Sequence, residues 1–248
     1  MKPFRLIRNL LKTNLPKTIW LNFKMLPFKQ AVKLPIYIYG KMIFRRMKGQ
    51  LIIDSEEIHS GMIKIGKRDY YVETTVPQCI WHIEGTLILH GPMKFMQGSY
   101  VLVAGGATLE IGAGGTIFGS NFRVFCFDHI TIGNNARMAW DVQIMDSSFH
   151  YTEDLNREGL VRPLNKPIHI GDNVWVGNRS TIAKGAVLPD YSIVASNSLI
   201  NKDFSSIESY SLLAGSPAAV KATGIRRIFD AEREKELDKQ FGYTRTHL

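Results

Sequence analysis

Ile170 to Lys202 reads I-G-D-N-V-W, V-G-N-R-S-T, I-A-K-G-A-V, L-P-D-Y-S-I, V-A-S-N-S-L, I-N-K. An aliphatic residue opens every unit: Ile170, Val176, Ile182, Leu188, Val194 and Ile200. Gly171, Gly177, Ala183, Pro189 and Ala195 hold the second places, and Val174, Ser180, Ala186, Ser192 and Ser198 the fifth. Neither a helical period of about 3.6 nor a strand period of about 2 keeps this register over so many units. A fixed six-residue repeat predicts a β-helix, each unit forming one short flat side of a prism. The aliphatic openers then stack inside, and the compact second and fifth residues fit the corners. A single unit cannot bury its own apolar face, so coils must stack.

Working outward, Ile132, Met138 and Ile144 are in phase with the repeat, which breaks after Asp146 and resumes near Ile168. The intervening S-S-F-H-Y-T-E-D-L-N-R-E-G-L-V-R-P-L-N-K-P is too polar to line a coil, so residues 147–167 are expected to leave the solenoid as a loop. Upstream, short apolar alternations such as L-I-I-D-S, C-I-W-H-I-E and Y-V-L-V-A read as irregular early coils. At about 18 residues per coil, residues 50–203 would give about eight or nine coils and a prism roughly 40 Å long. Downstream, Ile225, Ile228, Phe229, Leu237 and Phe241 fall on helical spacing, predicting a terminal helix over 224–248 that covers the open end.

The formal net charge of +9 belongs to one segment. Residues 1–48 hold twelve Lys and Arg and no acidic residue, leaving 19 basic against 22 acidic in the rest. Phe4, Ile7 and Leu11 face away from Lys2, Arg5, Arg8 and Lys12, which predicts a short amphipathic helix over 3–14 ended by Pro16. Trp20, Phe23, Phe28, Tyr37 and Phe44 are interleaved with the remaining cations. Such an arm reads either as an element for an anionic membrane surface or as a segment packed on the solenoid or a neighbouring subunit. No nucleic-acid-binding fold is recognisable in it. No apolar run approaches the ~18 residues of a spanning helix, and no h-region with a cleavage site marks a secretory signal. Cys79 and Cys126 lie among apolar neighbours and read as buried, reduced thiols, which fits a cytoplasmic protein. The seven histidines include no closely spaced pair and there is no Cys/His cluster, so no metal is expected. No G-x-S-x-G elbow and no phosphate-binding glycine loop is present. The domains expected are thus an N-terminal arm (1–48), a β-helix (49–223) and a C-terminal helix and tail (224–248).

Three stretches, N-V-W-V-G-N-R-S-T-I-A-K-G-A-V-L-P-D, V-A-S-N-S-L-I-N-K-D and L-L-A-G-S-P-A-A-V-K, together resemble the hexapeptide-repeat acyltransferases. Within that family they are similar to maltose and galactoside O-acetyltransferases and to those of bacterial surface-polysaccharide pathways. The resemblance implies a left-handed parallel β-helix, a homotrimer, acetyl-CoA as co-substrate and a sugar or glycan acceptor; it is the basic arm, residues 1–48, that would hold a cytoplasmic protein peripherally at the inner face of the cytoplasmic membrane. N-acetylation of an amino sugar would use the same machinery, and a non-catalytic β-helix scaffold is the reading of another class.

His150 opens the extruded loop, where a near-neutral imidazole suits a general base. The family has a histidine at this position, within W-D-V-Q-I-M-D-S-S-F-H, that takes the acceptor's hydroxyl proton. Asp146, four residues earlier, is the candidate to orient that ring, or else a turn aspartate. The resemblance places Asn121 at the acceptor, a plain corner asparagine being the alternative; Trp140 and Asp141 read as lining that site from an adjacent corner, or Trp140 as core packing. For acetyl-CoA it implies Trp175 beside the thioester, backbone contacts from Gly177 and Asn178, and Ser196, Asn201 and Lys202 along the pantetheine arm. CoA phosphates call for cations, which Lys202, Lys221 or the Arg226–Arg227 pair supply. The chain departs from the family's usual A-G-S at Ser196-Asn197-Ser198, and Ala219 stands where an arginine is common.

Overall fold

The computed structural model describes residues 10–69, 72, 74–157 and 159–243. The chain winds as an all-β solenoid, a left-handed parallel β-helix with a short helix near its C-terminus. Three sheets of nine, seven and six strands form its faces, here A, B and C, visited in turn by each coil.

The hexad openers are the rungs of this ladder. On face A, Met138, Val176, Val194 and Leu213 stand in register; on face B, Ile144, Ile182 and Ile200; on face C, Ile132, Ile170 and Leu188. All are buried. Full burial of one such side chain contributes about 1.5–3 kcal/mol, and stacking makes that contribution continuous along the axis. The same rungs run upstream through residues the repeat does not announce. Face A continues from Met138 back through Phe118 and Phe95 to Ile65 and Ile38. Aromatic rings replace aliphatic openers there, with Phe95 stacked on Phe118 at 4.7 Å between centroids, which hides the period.

Corners explain the fourth place of each hexad, which the repeat leaves open to many residue types. Asn173, Arg179, Tyr191 and Asn197 hold φ of 56–59°, the left-handed region, and Gly185 does the same at 76°. Asparagine tolerates that conformation, while arginine and tyrosine are strained by it and must be held by the stacked coils. At the second place, a Cβ on Gly177 would lie 2.6 Å from the Ser196 backbone nitrogen, so glycine is required there. Inside the A–B corner the fifth-place serines bond one another's coils: Ser180 Oγ accepts from the Ser198 N–H at 3.2 Å and Ser198 Oγ from that of Gly215 at 3.2 Å.

Three boundaries differ from expectation. The solenoid starts at Ile36, not Gly49: Ile36–Ile38 pairs with Ile63–Ile65, and Met42–Arg45 with Cys79–His82. The abundant cations mask this alternation, yet Lys41, Arg45, Arg46 and Lys48 point outward while Ile36, Ile38, Met42 and Met47 are buried. Among the described residues seven coils, rather than eight or nine, are counted by the seven strands of face B, because residues 74–78 and 147–157 lie outside the strands of the three faces. The C-terminal helix, α3 (Ala231–Phe241), begins only where Asp230 caps it by accepting from Glu232 and Arg233 N–H. Ile225 to Phe229 are instead an extended strap, no residue of α3 is buried, and face A is closed by the antiparallel hairpin of Leu212–Gly215 with Ala218–Ala222.

Residues 3–9 of the expected first helix lie outside the described residues. Pro16 opens a helix rather than only ending one: α1 (Leu15–Met25) follows Asn14, whose side chain accepts from the Lys17 N–H, and α2 (Phe28–Ala31) follows it. Helix α1 lies against the first strand's outer edge. Asn22 pairs with both backbone groups of Ile36, accepting at 3.1 Å and donating at 2.8 Å. Thr18 Oγ1 accepts from the Ile38 N–H at 3.1 Å and the Asn14 N–H donates to the Ile38 carbonyl at 2.7 Å. No helix among the described residues is long and apolar enough to cross a membrane. Cys79 and Cys126 are free and buried, and burial pushes the Cys79 thiol up to about 11.

Candidate active site

Residues 147–167 leave the solenoid at the corner between faces B and C as a hairpin, with Thr152–Glu153 antiparallel to Val161–Arg162. Its base is tied down from below. Lys184, on the next coil, donates to Ser148 Oγ at 2.9 Å on the outgoing arm and to the carbonyls of Pro163 at 2.6 Å and Leu164 at 3.2 Å on the returning one. Asn165 Nδ2 reaches the Phe127 carbonyl at 3.3 Å. Phe149 sits at φ 61°, a strained conformation for a bulky residue, with its ring edge-on to Phe127 at 5.0 Å. That kink turns the chain outward at the next residue, and His150 is exposed. An imidazole thus projects from the clamped foot of a loop, reachable by a ligand.

Asp146, the candidate to orient that ring, has its hydrogen bonds elsewhere among the described residues. It is fully buried, and its two carboxylate oxygens accept from the Phe127 and Asp128 N–H groups at 2.8 and 2.9 Å. Burial raises its pKa, and these amide bonds oppose the rise. The side chain therefore pins the turn of the preceding coil, the turn-aspartate reading. His129 and His169 stand on face C, His169 Nδ1 lying 2.6 Å from Thr131 Oγ1.

The acceptor candidates gather at another edge, the A–B corner. Asn121 Nδ2 donates to Asp141 Oδ1 at 3.0 Å, both residues holding φ 59°. Thr74, which lies between the strands Ile63–Lys67 and Cys79–Ile83, donates to Asn121 Oδ1 at 2.5 Å, a contact that no sequence pattern announces. Trp140, beside Asp141, is 37% exposed, so it is not core packing. Gly177, Asn178 and Ser196 extend the same edge on the following coils, Ser196 Oγ donating to Asn178 Oδ1 at 2.6 Å. Asn201 and Lys202 do not join them. They follow the face B strand Leu199–Ile200, at the His150 edge, where Lys202 Nζ lies 5.0 Å over the Phe204 ring. Lys221 is exposed on the closing hairpin.

Trp175 stands on face A and meets the C-terminal strap. The Arg227 guanidinium lies 5.5 Å over the Trp175 ring and 5.0 Å over Phe229. Trp175, Arg226 and Arg227 line one cleft of about 460 Å³, and both arginines with Arg233, Asn173 and Tyr191 line another of about 860 Å³. Beneath them Arg137 is lowered to about 10, by burial first and then by the like charge of Arg227. This concentration of guanidinium groups beside an exposed indole fits a polyanionic nucleotide, and of the cations proposed for CoA it is the Arg226–Arg227 pair that the fold brings to Trp175. No group of three or more metal-ligating side chains occurs among the described residues.

Residues 167–202 match the family model described as bacterial transferase hexapeptide (six repeats). A galactoside O-acetyltransferase of Escherichia coli (strain K12) is 26% identical over 194 residues, covering 76% of this chain and 82% of that protein. A galactoside O-acetyltransferase of Lactococcus lactis subsp. lactis (strain IL1403) is 28% identical over 144 residues, covering 57% of this chain and 64% of that protein. Among solved structures, the polySia-specific acetyltransferase NeuO superposes with a TM-score of 0.58 at 22% identity, over 86% of this chain and 87% of that one, which shows the shared fold.

Proposed function

We propose that this chain is a hexapeptide-repeat acyltransferase, a reading supported by the match of residues 167–202 and by the galactoside O-acetyltransferase relatives, and that it moves an acetyl group from acetyl-CoA to a sugar hydroxyl in surface-polysaccharide biosynthesis. The observation that carries this reading is the exposed His150 at the clamped foot of the hairpin that interrupts the hexad register after Asp146. A base needs access and an anchored backbone, and at His150 exposure supplies the first while the bond from Ser148 Oγ to its carbonyl at 3.2 Å supports the second. Its relatives' names, both galactoside O-acetyltransferases, support a sugar hydroxyl over an amine as acceptor.

Acetyl-CoA supplies an acyl group activated as a thioester. Arg226 and Arg227 would hold its phosphates, and Trp175 would flank the reactive end. His150 takes the proton of the acceptor hydroxyl as that oxygen attacks the acyl carbon. A backbone N–H at a solenoid corner stabilises the charge that develops on the carbonyl oxygen. The imidazolium then gives its proton to the departing sulfur, so the base is regenerated and no water is needed.

The two edges of the prism supply different halves of this site. Asp141 and Asp146 are separated by one face B strand, Gln143–Met145, which at ~3.3 Å per residue sets the A–B and B–C corners roughly 17 Å apart. A second copy is the simplest way to bring Asn121, Trp140 and Asp141 to His150, and a closed ring of three is the reading that supports the site. His150→Ala should lower kcat by about 10²- to 10⁴-fold with acetyl-CoA affinity, read by calorimetry, nearly unchanged. The same change at His169 should leave kcat within about twofold. Full turnover in the His150 variant would remove the base and this mechanism with it.

A further inference from the structure

The outer face of the N-terminal end cap carries a combination that solvent alone does not explain. Helix α1 buries Thr18, Leu21 and Asn22 against the first coil, which leaves Ile19 and Phe23 on its opposite side and Trp20 on a flank, where its ring meets Phe44 of that coil. A solvated helix face is ordinarily polar. Here Trp20 is 44% and Phe23 47% exposed, and Phe28 at the start of α2 is 73% exposed. These positions are contiguous: Ile19 and Phe23 are four apart on one helix, the Phe23 and Phe28 rings are 6.1 Å apart, and Trp20 lies 4.6 Å from Phe44. Val32 extends the patch at 51% exposure. Lys24, Lys29 and Lys33, all exposed, are interspersed with it, and residues 1–48 contain no acidic side chain.

We propose that this end face docks on an anionic lipid bilayer, the aromatic and aliphatic side chains entering the headgroup region and the lysines meeting lipid phosphates. Charge complementarity selects the partner's sign. Ile19 and Val32 select its class, because they offer nothing for a nucleobase to stack on, whereas acyl chains accept aliphatic and aromatic groups alike. The same helix closes the solenoid with its buried side, so the surface is a rigid part of the fold and not a detachable arm. Acyl transfer plays no part in this argument.

The structure also dictates the test. Deleting residues 1–30 would strip the end cap from the first strand, so substitutions confined to the outer face are needed. Full-length protein should co-sediment with vesicles of phosphatidylglycerol and phosphatidylcholine, weakly with phosphatidylcholine alone, and less as salt rises. Lys24→Glu, Lys29→Glu and Lys33→Glu together should weaken partitioning by at least about a hundredfold. Phe23→Ser with Phe28→Ser should weaken it about tenfold or more even at low salt. Both variants should keep the wild-type light-scattering mass and the wild-type rate on a soluble acceptor. The proposal is overturned if wild-type protein ignores anionic vesicles at low salt. It is equally overturned if the aromatic variant changes the oligomeric mass, making the face an interface between copies, or if duplex or single-stranded nucleic acid binds the patch while vesicles do not.

Discussion

The ammonium group of Lys184 has three acceptors within 3.2 Å, one on the outgoing arm of the hairpin and two on the returning arm. Ser148, which accepts from it, itself donates to the His150 and Leu164 carbonyls at 3.2 Å. The cation therefore sets the separation of the two arms at the level of the proposed base, without touching the imidazole. Misplacing a reacting group by about 1 Å is enough to lower a rate by about 10²-fold. Lys184→Met, which keeps the stem and removes the donors, should lower kcat ten- to a hundredfold and leave KM for acetyl-CoA unchanged. Lys184→Arg, which retains donors in a different geometry, should recover part of the loss. A raised KM with normal kcat would place Lys184 in the donor groove instead. At this scale the sequence shows His150, because a register break is visible in a strict repeat. It does not show Lys184, which occupies the third place of the hexad I-A-K-G-A-V and looks like any solvated lysine. Asp146 is the converse case: its spacing from His150 suggests an orienting carboxylate, whereas its oxygens accept from two amides of the stacked coil, Phe127 and Asp128.

At the scale of elements, the first strand shows how an open β-helix end is managed. Tyr37 bonds inward to the next coil, so the N–H and C=O groups of Ile36 and Ile38 face the outside and would otherwise be an unpaired edge. Asn22 satisfies both groups of Ile36, and it is fully buried while doing so. Asn22→Ala strands two buried backbone groups at about 1–3 kcal/mol each, so chemical denaturation should show a loss of about 2–6 kcal/mol for the first coils. Lys24→Ala, two positions along on the exposed side, should stay within about 0.5 kcal/mol. Equal effects of the two substitutions would mean that the cap bears no load. The repeat makes the C-terminal coils legible, since each hexad states its own face. The cap is not legible: Thr18 and Asn22 are polar residues on a helix, and only the register of the strand they meet turns them into core. Aromatic rungs such as Phe95 and Phe118 hide the early coils for a related reason, because the larger rings fill the prism without keeping the aliphatic period.

At the scale of the whole molecule, the two edges that carry the proposed half-sites define how copies would have to meet if the site is shared. If the A–B edge of one subunit faces the B–C edge of the next, the contact is heterologous, and three such contacts close a ring of three times 28.1 kDa. Two variants separate this arrangement from a site within one chain. His150→Ala removes the base. Asn121→Gly with Asp141→Gly removes the acceptor side chains, and glycine accepts the left-handed backbone, φ 59° at each position, without strain. Each variant alone should form the ring and be inactive. Refolded together in equal amounts, they assort at random, and an interface works only when the base comes from one parent and the acceptor edge from the other. That occurs at about one interface in four, so activity should return to about a quarter of the wild-type rate per subunit. A site contained within a single chain gains nothing from mixing, since every chain lacks one half. An inactive mixture of well-formed rings would therefore refute the shared site.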